Sequence, residues 1–144
     1  MMKHRRIKKT CKLFVIFLVM GMLYAMIEIT FRGWTTFSMF ILGGVCGVII
    51  GLLNEVCPDD LGIVWQCLIG GAIVTIAELI AGLILNVWLG LGIWDYSNLP
   101  LNFMGQICLP FSLAWCGLSL VAIVLDDYLR YWWFGEEKPS YTLF

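Results

Sequence analysis

From Gly33 to Tyr128 the chain contains no Lys or Arg, and its apolar runs are broken only by short polar turns. So few charges over that length leave too little polar surface to clothe a soluble domain, whereas runs of about 20 apolar residues match a hydrocarbon core of roughly 30 Å. Composition agrees: 61% of the 144 residues are apolar, 13% are charged, and the mean hydropathy is +0.92. Soluble domains are about half apolar. Six of the nine bases precede residue 13, so the body of the chain offers no basic surface for nucleic acid. The mid-chain acids are correspondingly short of partners.

The hydropathy pattern predicts an all-α polytopic membrane protein: four transmembrane helices in a compact bundle, at about 13–31, 37–53, 61–88 and 101–125. The first run is too long for the apolar core of a signal peptide and reads as a retained helix. Residues 1–12, which include the sole histidine, His4, form a basic tail, and 126–144 read as an interfacial tail carrying Tyr128, Tyr131, Trp132 and Trp133. An even number of spans puts both termini on one side, and the basic tail assigns that side to the cytoplasm of a cell with its plasma membrane. The turn at 54–60, with Glu55, Asp59 and Asp60, is then cytoplasmic, while Trp34, Trp88 and Trp94 make an outer belt. Nothing in the sequence divides 1–144 into more than one domain.

Gly43, Gly47 and Gly51 stand four apart on the second span and form a smooth stripe where another backbone can approach. A small bundle with such a stripe is expected to form a homo-oligomer or to join a partner membrane subunit, both within the lipid bilayer. The six Cys show no zinc spacing and no membrane His accompanies them, so neither a metal nor another cofactor is expected.

The polar residues inside the spans are few. Glu78 is the only formal charge of the third span, where an ionised acid costs about 2.5–3.5 kcal/mol on insertion scales. Thr75 precedes it by one turn, and Asn86 follows two turns on with Gly82 between. A neutral Glu hydrogen-bonded across the bundle would be purely structural; a proton or cation relay would be functional. Glu28 and Arg32, at i and i+4, can pair, and as an exposed helix pair would contribute about 0.3–0.5 kcal/mol. Glu55, after Asn54, reads as a solvated helix end. Trp115 reads as packing, and the scattered Met residues as core filler.

The connection GIWDYSNLPLNFMGQICLPF, residues 92–111, gathers Asp95, two Asn, one Gln and two Pro between apolar runs. Ser97 and Asn98 before Pro100 suit a helix start, and Asp95 suits an Asx turn. Asn102 and Gln106 then fall one turn apart inside the fourth span, where Pro110 would free the carbonyl of Gln106. Amides and a freed carbonyl at one level suggest either a ligand or ion site or a structural network. The expected pathway is Glu78, Asn86, Asn102 and Gln106, with Asp95 at its mouth and Glu28, Arg32 and Glu55 as supporting charges.

The runs RGWTTFSMFILGGVCGVIIGLLNE, TIAELIAGLILN, IWDYSNLPLNFMGQICL and DDYLRYWWFGEEKPSY together resemble the CmpB-like family, labelled ABC-transporter type IV or ABC transporter permease. The resemblance implies a small multi-pass bacterial membrane protein, and it carries over Glu55, Glu78, Asp95, Asn102 and Gln106 without assigning them chemistry. An ABC role requires a separate ATPase subunit, since the chain has no GxxxxGK[ST] loop and no Lys between positions 12 and 138. Two further classes compete with a permease. A non-catalytic scaffold or regulator would associate through the glycine stripe. An intramembrane enzyme acting on lipid would need two acids in reach of one substrate, such as Glu78 with Asp95 or Glu28, and no spacing secures that, so no enzyme is expected.

Overall fold

The structure, a computed structural model, describes residues 2–58 and 60–144, apart from the side chains of residues 2–7 and of Asn54. Asp59 and the side chains of His4 and Asn54, named above, lie outside the described residues. Helix α1 spans Met2–Arg32, α2 Phe37–Gly51 and the short α3 Leu53–Val56. Helix α4 spans Ile63–Gly82 and runs on as a π-helical segment over Leu83–Trp88. An antiparallel hairpin follows, β1 Asn102–Phe103 and β2 Ile107–Cys108, with Asn102 opposite Cys108 and Phe103 opposite Ile107. Helix α5 spans Leu109–Phe134.

Three of these helices are long and apolar enough to cross a membrane, over Lys8–Arg32, Ile63–Trp88 and Leu109–Phe134. The second span is shorter than expected. Helix α2 has 15 residues, which at 1.5 Å per residue reach about 22 Å of a roughly 30 Å core. The last helix departs further from the expectation of 101–125. Leu101, Met104 and Gly105 have φ of 52°, 54° and 69°, left-handed values that no helix tolerates, so the chain turns there as a hairpin. Pro110 therefore lies in the first turn of α5, where its missing N–H costs nothing. Residues 126–134, read as tail, continue the helix.

The described residues fall into two units, Met1–Asp59 with Ala122–Tyr141 and Asp60–Val121 with Thr142–Phe144. In the first, α1 and α2 approach closely because glycines line the contact. A β-carbon on Gly43 would overlap Tyr24, one on Gly44 would overlap Phe17, and one on Gly47 would overlap Met20. Gly51 instead receives the carboxyl of Asp126. The stripe is thus occupied within the chain. Gly33, with φ of 80°, ends α1 in the left-handed conformation that terminates helices, its N–H donating to the Ile29 carbonyl at 2.8 Å.

In the second unit Gly71 of α4 accommodates Cys116 of α5, and Gly82 accommodates Gln106 and Trp94. The first helical N–H groups of α4 lack a side-chain cap. The carbonyls of Thr142 and Leu143 accept from Ile63 and Val64 instead, at 2.8 and 3.2 Å.

Candidate functional site

Glu78 is 3% exposed on α4, and both of its oxygens are engaged. Tyr96 Oη donates to Oε1 at 2.6 Å and Trp115 Nε1 donates to Oε2 at 2.9 Å. The carboxyl thus joins three segments: α4, the connection and the first turns of α5. Tyr96 stacks on Phe111 with ring centroids 4.7 Å apart, and Phe111 lies 6.2 Å from Trp115, so the two donors are fixed by an aromatic wall. Thr75 does not serve Glu78; its hydroxyl donates to the Gly71 carbonyl at 2.8 Å and pairs with Ser112 Oγ at 3.0 Å.

One helical turn beyond Glu78, Gly82 leaves room for Gln106. Asn86, in the π-helical segment, donates from Nδ2 to Gln106 Oε1 at 2.9 Å and accepts from the Ile93 N–H at 2.7 Å. The wider π turn closes on Leu89, whose N–H reaches the Ile84 carbonyl at 2.9 Å. Gln106 in turn donates to the Met104 carbonyl at 3.0 Å, while its own carbonyl accepts from Trp94 Nε1 at 2.9 Å. The carbonyl expected to be freed by Pro110 is thus claimed by Trp94. That places Trp94 in the interior, and the aromatic belt keeps only Trp34 and Trp88 exposed.

The remaining two residues of the expected pathway sit elsewhere. Asn102 is not on a helix; exposed in the hairpin, it donates to the carbonyls of Ser97 and Leu99 and accepts from the Gly105 N–H. Asp95 is exposed and closes an Asx turn, accepting from the Ser97 N–H at 2.9 Å and from the Ser97 hydroxyl. Those two hydrogen bonds, the hydroxyl first, hold its carboxyl below the usual range. Of the five sequence candidates, Asn86 and Gln106 are hydrogen-bonded to each other.

The supporting charges belong to the first unit. Glu28 is buried, accepting from Arg32 Nη1 at 2.8 Å and Thr35 Oγ1 at 2.5 Å, while the Arg32 guanidinium lies 4.1 Å from the Trp34 ring centre. It is therefore not the exposed pair expected. Glu55 accepts from Lys9 Nζ and from Arg130 Nη1, each at 3.1 Å. The Lys9 hydrogen bond chiefly, with Arg130 behind it, keeps the Glu55 carboxyl below its ordinary range against partial burial. Arg130 also donates from Nε to Asp126 Oδ2 at 2.7 Å, and both are buried. Lys12 pairs with Glu136, and Tyr141 Oη donates to Asp127 Oδ2 at 2.7 Å.

Sequence reasoning missed Tyr96 and Trp115 as the donors to Glu78, and the Asp126–Arg130 pair. The signals were present: a buried indole needs an acceptor, and Asp126 precedes Arg130 by four residues.

Residues 12–135 match the family model described as "Putative ABC-transporter type IV". The chain belongs to this family. The matched range includes Glu78, its two donors and the Asn86–Gln106 pair. No curated protein and no solved structure matches the chain.

Proposed function

We propose that the chain is a membrane-embedded transport subunit in which Glu78 takes up and releases a proton as the polar step of a permease cycle. The observation that carries this reading is the pair of donors on Glu78. An indole N–H can only donate, so Oε2 always accepts. A phenol can donate or accept, so a proton moving onto Oε1 reverses the Tyr96 hydrogen bond without breaking it. Both charge states of the carboxyl keep two hydrogen bonds, in a place where an unmatched one is costly. A π-helical segment follows directly on α4, and such segments are frequent at functional sites.

The family label fits an ABC-type assembly in which another chain supplies ATP hydrolysis. In that arrangement the basic segment before residue 13 lies in the cytoplasm, both termini share that side of the plasma membrane, and α2 completes a fourth crossing with a partner subunit or a second copy. The self-satisfied knot of Asn86, Gln106 and Trp94 favours a second reading, a non-transporting scaffold whose polar residues fix helix register.

Infrared difference spectroscopy of the full chain in liposomes separates the two. A protonated-carboxyl band that follows external pH between about 4 and 9, exchanges in D2O and disappears in Glu78→Gln is expected for transport. A band that ignores external pH and deuterium would leave Glu78 as a sealed stitch and end the permease reading.

A further inference from the structure

We propose that the connection between α4 and α5, residues 87–109, is seated in the headgroup–acyl boundary of the bilayer as a lipid-facing hairpin, not held in water as a loop. Its surface carries large apolar side chains beside the polar ones of Asp95, Ser97, Asn98 and Asn102: Trp88 is 79% exposed, Leu101 75%, Phe103 55% and Met104 57%. Asp95 is the only formal charge between Glu78 and Asp126. Headgroup depth tolerates one carboxylate, whereas the hydrocarbon centre does not.

The polar backbone shows the complementary pattern. The carbonyls of Ser97, Leu99, Met104 and Gln106 accept from side-chain N–H groups of Asn102, Gln106 and Trp94, and the N–H groups of Ile93 and Gly105 donate to side-chain amide oxygens. The Tyr96 N–H donates to the Gly105 carbonyl at 2.7 Å. Water would satisfy these groups without help. In lipid such groups must be met inside the protein, as the ones named here are. Leu101 and Met104 moreover adopt positive φ, a conformation rare for bulky residues, and both present their side chains outward at that cost.

Lipid is the occupant because the hairpin is continuous with lipid-matched surface on both flanks. It begins where the span Ile63–Trp88 ends and stops where the span Leu109–Phe134 begins. A tryptophan at that junction is where interfacial aromatic side chains concentrate.

The test places a fluorescent amino acid at Phe103, by suppression of a stop codon, in the full chain reconstituted in phosphatidylcholine vesicles. Quenching by aqueous iodide is compared with quenching by a lipid nitroxide near the headgroup. Exposed Glu137 serves as the aqueous reference and exposed Ile76, on α4, as the lipid reference. The expected result is iodide quenching at least about threefold weaker at 103 than at 137, with nitroxide quenching close to that at 76. Iodide quenching equal to that at 137 would overturn the proposal. Protection from both quenchers would overturn it too, by assigning the face to a protein partner. Should the 103 variant not fold, the same probe at Leu101 gives the same discrimination.

Discussion

Glu78 and Asp126 are both buried acids in long apolar helices, yet the first is held by an indole and a phenol and the second by a guanidinium. Neutral donors can follow a carboxyl through a change of charge; a permanent cation cannot. The Glu78 site is therefore suited to switching. The Asp126 site is suited to holding, and it extends as a chain of alternating charge through Arg130 and Glu55 to Lys9. Holding carries its own demand, since Asp126 Oδ1 and Arg130 Nη2 find no hydrogen-bond partner among the described residues.

The comparison breaks most visibly at Arg130. Arg130→Met leaves Asp126 buried without its cation, and removing one member of a buried pair costs about 3–5 kcal/mol. Denaturant unfolding of the full chain in detergent micelles should show that loss, or no folded protein at all; a cost under about 1 kcal/mol would mean the pair holds nothing. Replacing each acid by its amide sharpens the contrast. Asp126→Asn leaves the Arg130 guanidinium with Glu55 as its remaining carboxylate partner and is expected to lose about 1.5–3 kcal/mol, as for hydrogen bonds to charged groups. Glu78→Gln keeps an oxygen for Trp115, and the Tyr96 hydroxyl can rotate to accept from the new amide, so a loss of about 1 kcal/mol or less is expected in the same assay. Equal costs at the two positions would erase the distinction.

What the sequence reveals follows the same divide. Long apolar runs, the isolation of Glu78 and the Asx turn at Asp95 are local patterns, and each is legible along the chain. The start of α5 is not legible in hydropathy, because apolar character continues from Leu101 onward and does not register that Leu101 and Met104 adopt left-handed φ. The glycine stripe marks a surface of close approach in the sequence, but a stripe does not say whether its partner is α1 or another chain. Tyr96 and Trp115 were missed for a different reason. They lie 18 and 37 residues from Glu78, and pairing across that distance is a property of the tertiary structure, not of spacing. Aromatic residues surround the charges of 126–134, which gives that stretch the look of an interfacial tail and masks the i, i+4 pair.

The smallest effect tests the outer end of the holding network. Lys9 and Glu55 pair at 3.1 Å with Lys9 well exposed, so the contact resembles a surface bridge of about 0.2–1 kcal/mol. Because Lys9 is the first cause of the lowered Glu55 value, the stabilisation is present in full above the ordinary carboxylate pKa. It fades as pH falls through the depressed folded value. The stability difference between the unsubstituted chain and Lys9→Met, which keeps the apolar stem, should therefore be constant near neutrality and shrink below about pH 4. About 1 M salt, with a screening length near 3 Å, should shrink it at any pH. A difference that grows on acidification would reverse the sign and detach Lys9 from Glu55. A difference indifferent to salt would show that the stem, not the charge, makes the contact, and the network would then end at Arg130.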